Sequence, residues 1–112
     1  VDAVLTDFVA RVRARLGDEL VRVSLFGSRA RGTARPGSDY DLLVVVSGDR
    51  AQAREAVSWV DLDLLLERAA NLSPKVVTRQ QLEELRRSGE PFWRNFERDE
   101  VVLWPTPHSP PR

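Results

Sequence analysis

The sequence predicts an α+β domain, a small mixed β-sheet with helices packed on it. Three observations carry that reading. Apolar residues recur at helical spacing before residue 17 and again beyond residue 50. Between these stretches, 20–26 and 40–46 are short apolar runs of strand length, separated by a Gly/Ser/Pro loop. A third such run, 72–77, follows the second helical stretch, which is long enough to cross over between strands. At 112 residues the chain is expected to form one core, with little room for a separate substrate domain.

In the first helix Leu5, Phe8, Val9, Val12 and Leu16 share a face, while Arg11, Arg13 and Arg15 fall elsewhere and read as solvated charge. Gly17 ends that helix, because glycine adopts the left-handed conformation that closes many helices. In the strand 20–26, Val21, Val23 and Leu25 alternate with Arg22 and Ser24, which predicts one fully apolar face. The strand 40–46 is nearly all apolar and is expected at the centre of the sheet. A long helix over 50–70 would bury Ala53, Val57, Val60 and Leu64 as a stripe. After the strand 72–77, Thr78-Arg79-Gln80-Gln81 has the capping-box pattern that opens another helix, and Gly89 closes it. Pro91 suits the first turn of a short helix over 91–96, and 101–104 reads as a last strand. The domain is expected to cover 1–104. The Pro-rich stretch 105–112 reads as a flexible tail in which His108 stands alone.

Composition narrows the function. Without cysteine there is neither a disulfide framework nor a thiolate metal site. A formal net charge of zero argues against a dedicated nucleic-acid binder, which draws on broad positive potential. No apolar run approaches a membrane span and no signal peptide is visible, so a cytoplasmic protein is expected. Lys75 is the only lysine, an arginine bias most simply read as a GC-rich genome. The absence of methionine, even at position 1, points to a processed or trimmed start and carries no functional reading.

The chemistry concentrates between Phe26 and Leu42. An apolar strand ends in Gly27-Ser28, ten residues follow, and Asp39-Tyr40-Asp41 opens the next strand. Residues i and i+2 of a strand share a face, so Asp39 and Asp41 would project side by side at its mouth. Leu43 and Val45 continue that face, with Tyr40, Leu42, Val44 and Val46 on the other. Two such carboxylates can share a hard cation such as magnesium, whose shell is completed by water and substrate phosphates. Gly27 lets the backbone approach a phosphate, and Ser28 is expected to cap a short helix whose free N–H groups attract anions. Either half alone is common: most Gly-Ser pairs are turns and most Asp-x-Asp pairs are solvated strand ends. The combination predicts a nucleoside triphosphate site.

The words Phe26-Gly27-Ser28-Arg29-Ala30-Arg31-Gly32 and Ser38-Asp39-Tyr40-Asp41-Leu42 resemble the active-site signature of the DNA polymerase beta-like nucleotidyltransferase superfamily. The likeness is greatest to its minimal nucleotidyltransferases, small proteins commonly paired with HEPN-domain toxins. The resemblance implies the nucleotidyltransferase fold and transfer of a nucleoside monophosphate, AMP from ATP or another triphosphate, to an acceptor hydroxyl. It implies Asp39 and Asp41 as catalytic metal ligands for two magnesium ions, with manganese as the alternative metal. Gly27 and Ser28 would hold phosphate, and Arg29 and Arg31 would neutralise its charge, one of the two being structural.

Fuller members of that superfamily carry a third carboxylate on the strand after the long helix. Here the strand reads Leu72-Ser73-Pro74-Lys75-Val76-Val77, with Pro74 or Lys75 in the expected place. Asp61 and Asp63 would supply it only if their segment were strand; the helix-favouring composition around them makes them surface charges. Two functions are therefore carried forward. In the first the protein adenylylates a HEPN toxin as its antitoxin. In the second it is a catalytically weak or inactive nucleotide-binding module that neutralises its partner by contact. Aminoglycoside nucleotidylation ranks third, because a drug pocket needs extra structure. Phe92, Trp93, Phe96 and Trp104 concentrate aromatics near the C-terminus, and they either close the core or form an interface with the toxin or a second copy.

Overall fold

The computed structural model describes residues 2–106, and within them ten short elements form three layers. Helix α1 (Ala3–Leu16) starts where the Asp2 carboxylate accepts from the Val4 N–H, and it ends at Gly17, whose φ is 56°. A single 3₁₀ turn, Gly17–Glu19, leads into β1 (Leu20–Phe26), and a short helix α2 (Gly27–Arg31) follows directly. Then come β2 (Tyr40–Val46), the long α3 (Arg50–Arg68), β3 (Leu72–Thr78), α4 (Arg79–Ser88), α5 (Pro91–Asp99) and β4 (Val101–Trp104). The Thr78–Gln81 capping box is present with both of its hydrogen bonds. Boundaries differ from expectation at three ends. Helix α3 stops at Arg68, β3 runs one residue further to Thr78, and α5 continues to Asp99. The tail reading and His108 fall mostly on residues outside those described.

The strand order is β3-β2-β1-β4, mixed as expected, with β2 parallel to β3 and β1 antiparallel to both β2 and β4. Helix α3 is the crossover that the parallel pair requires. It buries Ala53, Val57, Val60 and Leu64 on the same sheet face as Phe8 and Val12 of α1, against Val23, Leu25, Leu42, Val44 and Val46. The opposite face carries Phe26, Leu43 and Val45 under Trp93 and Phe96 of α5, with Leu82 and Leu85 of α4 beside them. Each large side chain removed from water in these layers contributes roughly 1.5–3 kcal/mol.

One face assignment is corrected. Val21 packs with Phe26 and Leu43, not with Val23 and Leu25, because the β1–β2 ladder shifts register between Leu20 and Arg22. Such a bulge inserts one residue and rotates the chain before it to the other face. The C-terminal aromatics divide: Trp93 and Phe96 are core, Phe92 is 44% exposed, and Trp104 is half-buried beneath the Arg13 guanidinium. No helix among the described residues is long and apolar enough to cross a membrane.

Candidate nucleotide site

The turn from β1 into α2 and the start of β2 meet at one end of the two central strands. Phe26 and Asp41 are cross-strand partners, so the residue after Phe26 lies beside the Asp41 side chain. Gly27 has a φ of 75°, a conformation that costs other residues energy. A Cβ there would sit 3.1 Å from Asp41 Cγ and overlap Oδ2. Only a glycine lets the Gly-Ser turn and the acidic strand close on one another. Ser28 is not the cap of α2, a correction to the sequence reading: Phe26 holds that position with no side-chain bond, and Ser28 is the second helical residue. The first-turn N–H groups, Ser28's included, have no partner within the helix.

Asp41 lies within β2, while Asp39 stands one residue before it rather than opening the strand. Asp39 is held instead by Asn71, whose Nδ2 donates to Asp39 Oδ1 at 2.5 Å, and the Asn71 carbonyl accepts from Tyr40 N at 2.9 Å. Sequence reasoning missed Asn71; its one signal is an amide side chain just before a strand parallel to β2. Burial and the neighbouring Asp39 charge push the Asp41 carboxyl above its usual range, and Lys75 and Arg31 pull it back in part. None of the ion pairs among the described residues involves Asp39 or Asp41. Two adjacent carboxylates that repel and have no ion-pair partner among the described residues are a donor set suited to a hard divalent cation. Magnesium fits them.

The two arginines of the loop part company. Arg29 donates Nε and Nη2 to the Ser38 carbonyl, at 3.0 and 2.8 Å, with its guanidinium 4.0 Å from the Tyr40 ring centroid. The Tyr40 hydroxyl in turn donates to Asp2 Oδ2 at 2.7 Å. This chain of contacts fixes the loop that separates Ser28 from Asp39. Arg31 is the more exposed and pairs with Asp99 at 2.8 Å, tying α2 to the end of α5. Arg98 and Arg31 together hold the Asp99 carboxyl below its usual range.

The β2–β3 register settles which residues of β3 face the acids. Asp41 pairs with Ser73 and Leu43 with Lys75, so Ser73 and Lys75 share the Asp41 face and Pro74 points to the other. Among the described residues no three His, Cys, Asp or Glu side chains converge. Asp61 and Asp63 are on α3, which packs on the opposite face of the sheet, so neither completes the site.

A family model described as "Nucleotidyltransferase domain" matches residues 5–101. A curated relative from Methanocaldococcus jannaschii, whose name reads "Putative protein adenylyltransferase MJ1305", is 33% identical over 82 residues. The match covers 70% of this chain and 56% of that protein, so the chain spans little more than half its relative's length. Among solved structures, spectinomycin adenyltransferase AAD(9) from Enterococcus faecialis, with ATP and spectinomycin, aligns at a TM-score of 0.64 and 15% identity. That alignment covers 94% of this chain and 56% of the other. A toxin–antitoxin structure with AMP-PNP aligns at 0.52 and 19% identity, over 87% and 70% of the two chains. At these identities the structural likenesses speak for the fold.

Proposed function

Since the chain belongs to the nucleotidyltransferase domain family, we propose that it transfers AMP from ATP to an acceptor hydroxyl, and that the acceptor is on a HEPN-type toxin partner. The acceptor oxygen would form a bond to the α-phosphorus as the bond to the leaving pyrophosphate breaks. The observation that carries this reading is the closure of Gly27 on Asp41, which leaves room for nothing larger than hydrogen on the glycine and sets the Gly-Ser turn against the acidic strand. Asp39 and Asp41 would hold magnesium, which when bound neutralises phosphate charge and withdraws electrons from the phosphorus. Asn71 orients Asp39 for that task. The Ser28 hydroxyl and the free N–H groups at the turn would donate to the triphosphate oxygens. Arg29 shapes the loop, and Arg31 lies close enough to influence the charge of Asp41. The relative named as an adenylyltransferase and the toxin–antitoxin structure with AMP-PNP support the choice of nucleotide and partner.

The missing third acid favours a second reading, a nucleotide-binding module that restrains its partner by contact. With no carboxylate on β3 to take the acceptor proton, turnover would be slow or absent. Incubation with ATP, magnesium and the co-encoded partner separates the two. The enzyme reading expects a mass increase of one AMP on the partner, abolished by Asp41→Asn. An unmodified partner in a stable complex would establish the module instead.

A further inference from the structure

Two carboxylates can hold one hard cation, but a second ion bridged by them would find no further protein ligand and would depend on water and phosphate alone. Among the described residues no third acid joins Asp39 and Asp41. A triphosphate bound with a single divalent ion keeps a net negative charge, which the protein must then balance. The register identifies the group placed to do so. Lys75 rises from the same face as Asp41, one strand across and two residues along, about 5 Å and about 7 Å away at the backbone. It is exposed, and none of the ion pairs among the described residues engages it. Its charge is felt at Asp41, where it opposes that of Asp39. The neighbouring cations are committed elsewhere, Arg29 to the Ser38 carbonyl and Arg31 to Asp99.

We propose that Lys75 binds the triphosphate oxygens of the nucleotide and stands in for a second metal ion, so that the site loads one divalent cation per nucleotide. The inference rests on the nucleotidyl-transfer reading and deepens it. An ammonium on a flexible stem is a compact point charge with three donors, and it follows phosphate oxygens without needing carboxylates of its own. Lys75 thus occupies the face where a third acid would have held a metal, and supplies the positive charge directly.

Because Lys75 is the only lysine, its amine can be followed in the intact chain. The wild type would be treated with an amine-acylating reagent with and without AMP-PNP and manganese, and the Lys75 peptide quantified by mass spectrometry. At ten times Kd about one molecule in ten is unliganded, so acylation should slow about tenfold. Paramagnetic resonance should count one bound manganese in the wild type and two in Lys75→Asp, which restores a third acid at an exposed position. Nucleotide binding with Lys75 acylated at its free rate, two ions in the wild type, or one ion in a folded Lys75→Asp protein would each overturn this inference alone. Failure of the wild type to bind AMP-PNP with manganese would overturn the nucleotide reading together with it.

Discussion

The Asp41 carboxylate fills the space that a side chain on Gly27 would need, with Cγ 3.1 Å from the place a Cβ would take. The two halves of the motif are thereby a single steric unit. Gly27→Ala should cost about 1–2 kcal/mol from the positive φ alone, read by urea unfolding. It should also displace Asp41 and weaken magnesium-dependent ATP binding by more than about tenfold, a loss of at least 1.4 kcal/mol. Unchanged binding in titration calorimetry would show that the turn and the acid act separately.

The double change Asp39→Asn, Asp41→Asn should abolish magnesium-dependent ATP binding while leaving the fold intact. With EDTA present its melting temperature should equal or exceed that of the wild type, because the two carboxylates repel and Asp41 is partly desolvated. A fall in stability would mean that these acids serve the fold, and calorimetric binding equal to wild type would remove them from the site.

Asp61→Asn and Asp63→Asn should each leave nucleotide affinity within about twofold, since α3 lies across the sheet from Asp41. Burial pushes the Asp61 carboxyl above its usual range, so removing that charge should not destabilise the protein. Loss of binding in either variant would place a ligand on the wrong side of the sheet.

Asp2 gives a pH signature. Burial works against its charged form, but the Tyr40 hydroxyl, the N–H groups of Val4 and Leu5, and Arg29 hold its carboxyl below the usual 3.8. A lowered folded pKa contributes stability that is present above the unfolded value and lost as pH falls through the folded one. Asp2→Ala should therefore cost about 1 kcal/mol at neutral pH, the worth of a helix cap. The gap between variant and wild type should close as unfolding is followed into acid, and a gap independent of pH would assign the loss to packing.

Phe96→Ala should destabilise by about 3–5 kcal/mol, because the ring is buried against Phe26 and Trp93 at centroid distances of 5.2 and 5.1 Å. Phe92→Ala, at a half-exposed ring edge-on to Phe26, should cost far less. Equal unfolding midpoints for the two variants would contradict the division of the aromatics between core and surface.

What the sequence made legible was what short-range chemistry dictates. The Ala53–Val57–Val60–Leu64 stripe, the Thr78 cap and the apolar length of β2 depend on residues a turn or a strand apart, and each stands where expected. The proximity of Gly27 and Asp41 was readable only as a motif; its steric reason lies in the pairing of Phe26 with Asp41. Features set by distant partners stayed hidden. The bulge at Leu20/Arg22 sends Val21 to the other face, and no local pattern announces it. Asn71 reaches Asp39 from the residue before β3, and the direction of Lys75 follows from the β2–β3 register. The place of Ser28 inside α2 turned on two residues of helix boundary, the interval where propensity discriminates least.

The chain order of the second sheet face governs how the molecule is made. Phe26, Leu43 and Val45 are synthesised long before Trp93 and Phe96, the side chains that take them out of water, with about seventy residues between Phe26 and Phe96. A nascent chain can close α1, α3 and three strands while this second face is still wet, so the docking of α5 and the pairing of β4 with β1 come last. Ribosome-stalled or proteolysed chains ending before Pro91 would expose an apolar sheet face beside the acidic pair and aggregate. The same step brings Asp99 to Arg31 and ties α2 in place, so the site is completed only when the end of the domain has been made.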